Sequence, residues 1–427
     1  MATAPVFGTI DQRFSDEPLA LGPVNFSKIA VVSTSTGADA TLFPAGVSSD
    51  PTSYKAVRFS SGDTAFTSKL GTGYLADAVA AVNAQIAAGS QAADITVIRC
   101  AESVLTDAAA KLAATQANII AGLQALKAAP AKINATPRLV GVPGYTAQRV
   151  GSTANPVIAA LPEVLAALLA IAVVDVDDSS SANAIDSRED IGSERIMPVG
   201  VAARVFDTDG IAVITRPMAP RILGLITAND FRNGGKPFEP FANRQIYGLV
   251  GTSRDIPFDL RDGSVDGQQM LAAEVSIVVR GETDIDGAIA DGGFVFIGTD
   301  NCATDGDVWQ QIHQVRGADC IDVEHMRLTR QFLGRKVSAS NAEAWINSLK
   351  FNLRDHKAAS DILGYKTEFK PDQNSAEQVR LGRLTVDLGI EEAPVFRVAK
   401  RNVRRYRQAV VDLVADIAAR INASAIL

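Results

Sequence analysis

The chain has 427 residues, of which 47% are hydrophobic and 21% charged, with a formal net charge of −7. That length allows two or three domains with cores of their own, and that composition excludes a disordered chain. The acidic balance excludes a general nucleic-acid binder and leaves room only for a local basic patch.

Residues 1–25 read as an extended arm that cannot bury a core alone. Val6, Ile10 and Phe14 are scattered among polar residues, and Pro5, Pro18 and Pro23 oppose a helix. No basic region leads into an apolar run here, so the stretch does not read as a secretory signal.

From Lys28 onward short apolar runs alternate with Ala-rich segments. Strands are expected at Ile29–Thr34, Ile95–Arg99, Arg138–Val142, Ile171–Asp175, Ile196–Val201 and Ile211–Thr215, with helices at Leu75–Ala88, Ala101–Ala128 and Val157–Leu169. This alternation predicts an α/β domain with a largely parallel sheet over residues 26–254. The longest apolar stretch, Val157–Val176, is interrupted by Pro162, Glu163 and Asp175. It reads as a helix running into a strand, not as a membrane span. Gly141–Thr146 follows a strand, as a loop at the sheet's carboxyl edge would.

Past residue 255 the pattern changes to α+β. Ala273–Arg280 and Gly292–Gly298 are strand-like runs separated by an Asp/Gly-rich turn. Helices are expected at Trp309–Gly334, Ala342–Asp355 and Arg397–Asn422, with a strand pair formed by Gly364–Pro371 and Gly382–Ile390. The chain is therefore expected to divide near residue 255, into residues 26–254 and 255–427.

Catalytic and cofactor signals are thin. Arg232–Phe238 has glycines and a lysine without the spacing of a phosphate-binding loop, and neither a dinucleotide-binding fingerprint nor a G-x-S-x-G elbow occurs. Cys302, His313, Cys320 and His325 are spaced C-x10-H-x6-C-x4-H and lack the close ligand pair that zinc needs at the first end, so they read as ordinary helix residues. Asp175, Asp177 and Asp178 lack the ligand order of an EF-hand and read as a solvated loop. The odd count of cysteines (Cys100, Cys302, Cys320) fits reduced structural thiols of a cytoplasmic protein, or, alternatively, a disulfide to a neighbouring chain. No catalytic residue, cofactor or metal is assigned.

Near the carboxyl end of this acidic chain, Arg397, Lys400, Arg401, Arg404, Arg405 and Arg407 crowd six basic residues into eleven positions. On a helix over Arg397–Asn422 they fall within an arc of about 160°. Val403, Tyr406, Val410, Leu413, Val414, Ile417 and Ile421 gather on the other side. The expectation is one face docked on the subunit's core and one guanidinium-rich strip facing outward. Cations in a helix's first turns oppose the macrodipole, and no acidic residue follows four positions on until Asp412. The strip is thus left for an acidic partner. No aromatic platform accompanies it, which argues against single-stranded nucleic acid.

Three stretches carry a family resemblance: Pro137–Tyr145 (PRLVGVPGY), Gly292–Cys302 (GGFVFIGTDNC) and Gly382–Tyr406 (GRLTVDLGIEEAPVFRVAKRNVRRY). In this order and at similar intervals they resemble tail sheath proteins of contractile-tailed bacteriophages and the related R-type pyocins. The likeness is strongest from about residue 255 onward and at Pro137–Tyr145, and weak between residues 45 and 130. Where family members often place an aromatic before the second motif's glycine and Arg-Thr after it, this chain has Ile297 before Gly298 and Asp300-Asn301 beyond.

The resemblance implies a non-enzymatic structural subunit with an outer α/β and an inner α+β domain, polymerising as stacked hexameric rings around a tail tube. Contraction of that polymer would drive the tube through a host envelope. Implied partners are further copies of the chain and the tail tube, baseplate and tail terminator proteins, with no nucleic acid and no membrane insertion. Its place would be the virion tail, assembled in the host cytoplasm. The arm carrying Val6, Ile10 and Phe14, and a C-terminal segment, would lend strands to neighbouring subunits, and the basic strip would meet the tube or an adjacent subunit. The alternative reading is a cytoplasmic α/β enzyme with a small-molecule site near Gly141–Tyr145.

Overall fold

The computed structural model describes residues 24–86, 91–149, 151, 153–207, 211–304 and 308–424. Val6, Ile10 and Phe14 lie outside them. The first part of the chain contains β1 (Ile29–Thr34), β2 (Ala56–Ser60), α1 (Thr64–Thr67), α2 (Tyr74–Ile86), β3 (Asp94–Cys100), α3 (Ala108–Lys127), α4 (Pro130–Ile133), β4 (Leu139–Gly141), α5 (Pro156–Leu168), β5 (Ile171–Asp175), α6 (Ser181–Glu189) and β6 (Ile196–Val199). Its sheet has the order β2-β3-β1-β4-β5-β6. β3, β1, β4, β5 and β6 run parallel, and β2 is antiparallel to β3.

The central strands are buried along their whole length, IAVVST in β1 and IAVVD in β5. Unbroken apolar runs of this kind belong to a sheet covered on both faces. The chain moves one way along the sheet from β1 to β3 and the other way from β3 through β4 to β6. Right-handed crossovers therefore send the intervening helices to opposite faces. Accordingly α3 packs with α5, and α2 packs with α7 (Ala219–Arg232). Gly224 makes the second pairing close: a Cβ there would lie 2.8 Å from the Cα of Val82 in α2. Asp107 and Asn155 start α3 and α5 by accepting the backbone N–H groups of Ala110 and Val157.

The remaining elements are β7 (Ala203–Phe206), β8 (Val213–Arg216), β9 (Arg244–Ile246), β10 (Gly251–Thr252), α8 (Asp266–Ala272), β11 (Ile277–Arg280), β12 (Phe294–Ile297), α9 (Ile312–Thr329), α10 (Ala339–Ala358), β13 (Ile362–Glu368), α11 (Ala376–Arg380), β14 (Asp387–Glu392) and α12 (Gln408–Ser424). β10-β7-β8 and β11-β12-β9 are three-stranded sheets, and β13-β14 is a two-stranded antiparallel one. The strand expected at Ile211–Thr215 thus does not join the parallel sheet. As β8 it pairs antiparallel with β7, whose residues alternate buried and exposed, the pattern of a sheet wetted on one face.

Backbone pairing crosses the expected division near residue 255. β9 pairs with β12, and Val199 at the end of β6 bridges Ser276. One core cluster runs from Ile29 to Val315. These pairings join residues on both sides of 255, which a local composition shift cannot reveal. The chain instead forms one compact unit up to Ala393 and a second from Pro394.

Candidate subunit-linking surface

Among the described residues the β13-β14 sheet has two strands, each with an edge that no other described strand pairs. Such a ribbon is marginal alone and gains stability from what it packs against. A small apolar cluster holds this one: Val24, Phe26, Phe238, Cys320, Ile321, Val323, Leu353 and Ile362 bring together the first described residues, the loop after α7, α9, α10 and β13.

Charge holds it as well. His356, in the last turn of α10, is 5% exposed. Its Nε2 is 2.8 Å from Glu324 Oε2 on α9, and its Nδ1 is 2.8 Å from Asp361 Oδ2 just before β13. Lys236 Nζ adds a second cation 2.9 Å from Asp361. Burial opposes the imidazolium, yet the two carboxylates win and lift the His356 pKa to about 9. Neighbouring His325 has no such partner, and desolvation pushes its pKa down to about 4.

Deeper in the unit, Arg316 of α9 grips Asp230 of α7 through Nη1 at 3.1 Å and Nη2 at 2.5 Å, with both side chains almost fully buried. Burial raises Asp230 to about 6 against the pull of Arg316. Arg195 holds Asp319 in the same two-pronged way at 2.5 and 2.9 Å. Buried ion pairs add little net stability over apolar packing, but they punish the loss of one partner. These two fix α9, the helix on which the ribbon rests.

The basic segment differs from its expectation. The helix begins at Gln408, so Arg397, Lys400, Arg401, Arg404 and Arg405 precede it in non-helical backbone. Arg407 stands at its mouth, its carbonyl accepting the N–H groups of Val410 and Val411. Cations three and four apart repel, and they oppose the helix dipole, so the run of arginines ends where the helix starts. From there the signs favour it: Gln408 bonds Asp412, and Arg420 pairs with Asp416 four residues back.

Val403 and Tyr406 are therefore not on the helix. Val410, Leu413, Val414, Ile417 and Ile421 keep helical spacing and are 47–63% exposed. Arg404 and Arg405 are exposed with no carboxylate at ion-pair distance among the described residues.

The other candidates resolve as follows. Cys100, Cys302 and Cys320 are unpaired and buried, and burial raises all three thiols, Cys302 to about 12. Among the described residues no group of His, Cys, Asp and Glu is arranged to hold a metal ion. His313 donates its Nε2–H to the Ala393 carbonyl, 2.9 Å away. At the carboxyl edge, Gly141–Tyr145 follows β4 as expected. The crevice between β1 and β4 is closed by Ser33, whose hydroxyl donates to the Pro143 carbonyl at 2.8 Å, and by Thr34 at 2.9 Å from the Tyr145 hydroxyl. Asp175 is not part of a solvated loop; it is 7% exposed at the end of β5. The sequence pattern that extended the helix back to Arg397 hid the ribbon's role, and nothing in the spacing of Glu324, His356 and Asp361 announces their contact.

No family model matches the chain. Two curated proteins are similar to it, the first of them named a sheath protein by inference. A prophage major tail sheath protein of Pseudomonas aeruginosa (strain UCBPP-PA14) is 26% identical over 282 residues, covering 65% of this chain and 68% of that one. The tail sheath protein of Escherichia phage P2 is 23% identical over 389 residues, covering 88% and 89%. Among solved structures, chains of the anti-feeding prophage baseplate share the fold at 14% identity. The contracted-state structure gives a TM-score of 0.66 over 95% of this chain, and the six-fold symmetrised structure gives 0.59 over 94%. The chain is thus similar along most of its length to two proteins named as tail sheath proteins, and it shares its fold with chains of a prophage assembly solved in a contracted state.

Proposed function

We propose that the chain is a non-enzymatic structural subunit of a contractile tail sheath, polymerising as stacked hexameric rings around a tail tube and shortening to drive that tube through a host envelope. The reading is carried by the similarity to the phage P2 tail sheath protein over 88% of the chain. The β13-β14 ribbon, whose edges no other described strand pairs, and the exposed C-terminal segment support it, since both are surfaces a polymer would cover. The arm with Val6, Ile10 and Phe14 adds a strand to the ribbon of a neighbouring copy, its backbone groups completing an edge. Arg397, Lys400, Arg401, Arg404, Arg405 and Arg407 meet acidic groups on the tail tube or an adjacent subunit. Other partners are the baseplate and terminator proteins, and the place of action is the virion tail.

Electron microscopy of the purified chain in negative stain tests the polymer: tubes or stacked rings are expected, and discrete particles at assembly concentrations overturn it. For the basic segment, Arg404→Glu with Arg405→Glu should leave a soluble subunit that fails to co-assemble with tube. Normal extended tails from that variant, or tight salt-dependent DNA binding by the free subunit, would remove that role.

A further inference from the structure

A cavity of about 160 Å³ lies at the carboxyl edge of the parallel sheet, beside the closed β1-β4 crevice. Asp175, Asp178, Gln148, Tyr74 and Arg216 are among its lining residues. Three of these carry a buried polar atom without a hydrogen-bond partner: Asp175 Oδ2, Gln148 Oε1 and Arg216 Nε.

The fold explains why the acceptors stay open. Asp175 Oδ1 is committed to the start of α7, where it accepts the backbone N–H groups of Met218 at 2.7 Å and Ala219 at 3.0 Å. Its other oxygen is left over. Gln148 donates its Nε2 to the Gly144 carbonyl at 2.8 Å, which directs Oε1 away from that bond. Arg216 lies over the Tyr74 ring, 6.0 Å from its centroid. The lining therefore sets two carboxylates against one guanidinium, with the spare hydrogen-bonding capacity mainly on acceptors.

We propose that this cavity binds a primary ammonium group. Two carboxylates disfavour an anion. A bare divalent cation would want about six oxygen ligands, more than two carboxylates and an amide supply, and no group of three or more His, Cys, Asp and Glu that could hold a metal occurs among the described residues. A quaternary ammonium has no N–H to give. A primary ammonium offers three donors and one positive charge, matching Asp175 Oδ2, Gln148 Oε1 and the Asp178 carboxylate. The inference does not rest on the sheath reading. It involves no chemical step, only recognition, and the ammonium could come from a free alkylamine or from a lysine side chain of another protein molecule.

Calorimetric titration of the full chain with n-butylammonium tests it. Saturable binding is expected, weakened about tenfold or more by Asp178→Asn and by Asp175→Asn. Because Asp175 also caps α7, the half-exposed Asp178 provides the variant that keeps the fold. Tetramethylammonium should not compete. Nα-acetyl-lysine methylamide binding more tightly than n-butylammonium would identify a lysine side chain as the source, and the reverse order a free amine. Absence of saturable binding, equal binding by tetramethylammonium, tighter binding of magnesium, or affinity unchanged in both variants would overturn the proposal.

Discussion

The parallel-sheet region and the C-terminal part of the chain use the same kinds of residue to opposite ends. In the first, Val157, Leu161, Val164 and Leu165 of α5 are fully buried. In the second, Val410, Leu413, Val414 and Ile417 of α12 also keep a helical spacing and stay exposed. Arginine shows the same contrast: Arg316 is locked onto Asp230 in the interior, whereas Arg404 and Arg405 stand in solvent-facing, non-helical backbone. The first region pairs its buried apolar and charged groups within the subunit, while the exposed groups of α12 and the basic segment are the ones the proposed polymer would cover.

Substitutions can break or sharpen that contrast. The largest effect is expected for Asp230→Ala, which strands Arg316 in the interior and should cost about 3–5 kcal/mol in denaturant unfolding. A loss below about 1 kcal/mol would mean that water reaches the pair. Leu165→Ala should cost about 2–5 kcal/mol, because the sheet and α3 cannot close the cavity.

The His356 clamp comes next and has a pH signature. Its folded pKa, about 9, lies above the ordinary value of 6.5. Its contribution is therefore fully present below pH 6.5 and is lost as pH rises through 9, about 3 kcal/mol in all. Unfolding curves across that window should slope downward in the native chain and flatten in His356→Gln; an unchanged slope would remove the clamp. Smallest is Ile417→Ala, expected to shift the stability of the isolated subunit by less than about 0.5 kcal/mol while impairing polymer formation. A loss comparable to Leu165→Ala would show that α12 is buried within its own subunit after all.

Much of the architecture is legible in the residues. β1 and β5 are read correctly to their last residue, since unbroken apolar runs bounded by turn signals have few alternatives. The β11-β12 and β13-β14 pairs follow from short strand-like runs joined by polar turns. The start of α12 is hidden in the sequence because apolar periodicity continues through Val403 and Tyr406, while the helix begins only at Gln408, past the six neighbouring cations. The backbone pairings that cross residue 255 are not legible for a different reason. β9 with β12 joins residues about fifty apart, and Val199 with Ser276 more, and no local pattern encodes them.

What the sequence determined by itself is the period of each element, the absence of any familiar catalytic constellation, and a family resemblance spread through three separated stretches. Those depend on neighbours along the chain or on ordered motifs. Tertiary structure alone decided which buried groups meet: His356 between Glu324 and Asp361, Arg316 on Asp230, and Asp175 with Gln148 around one cavity. Each pair comes from different elements, and its energy arises only when folding removes water from both members at once.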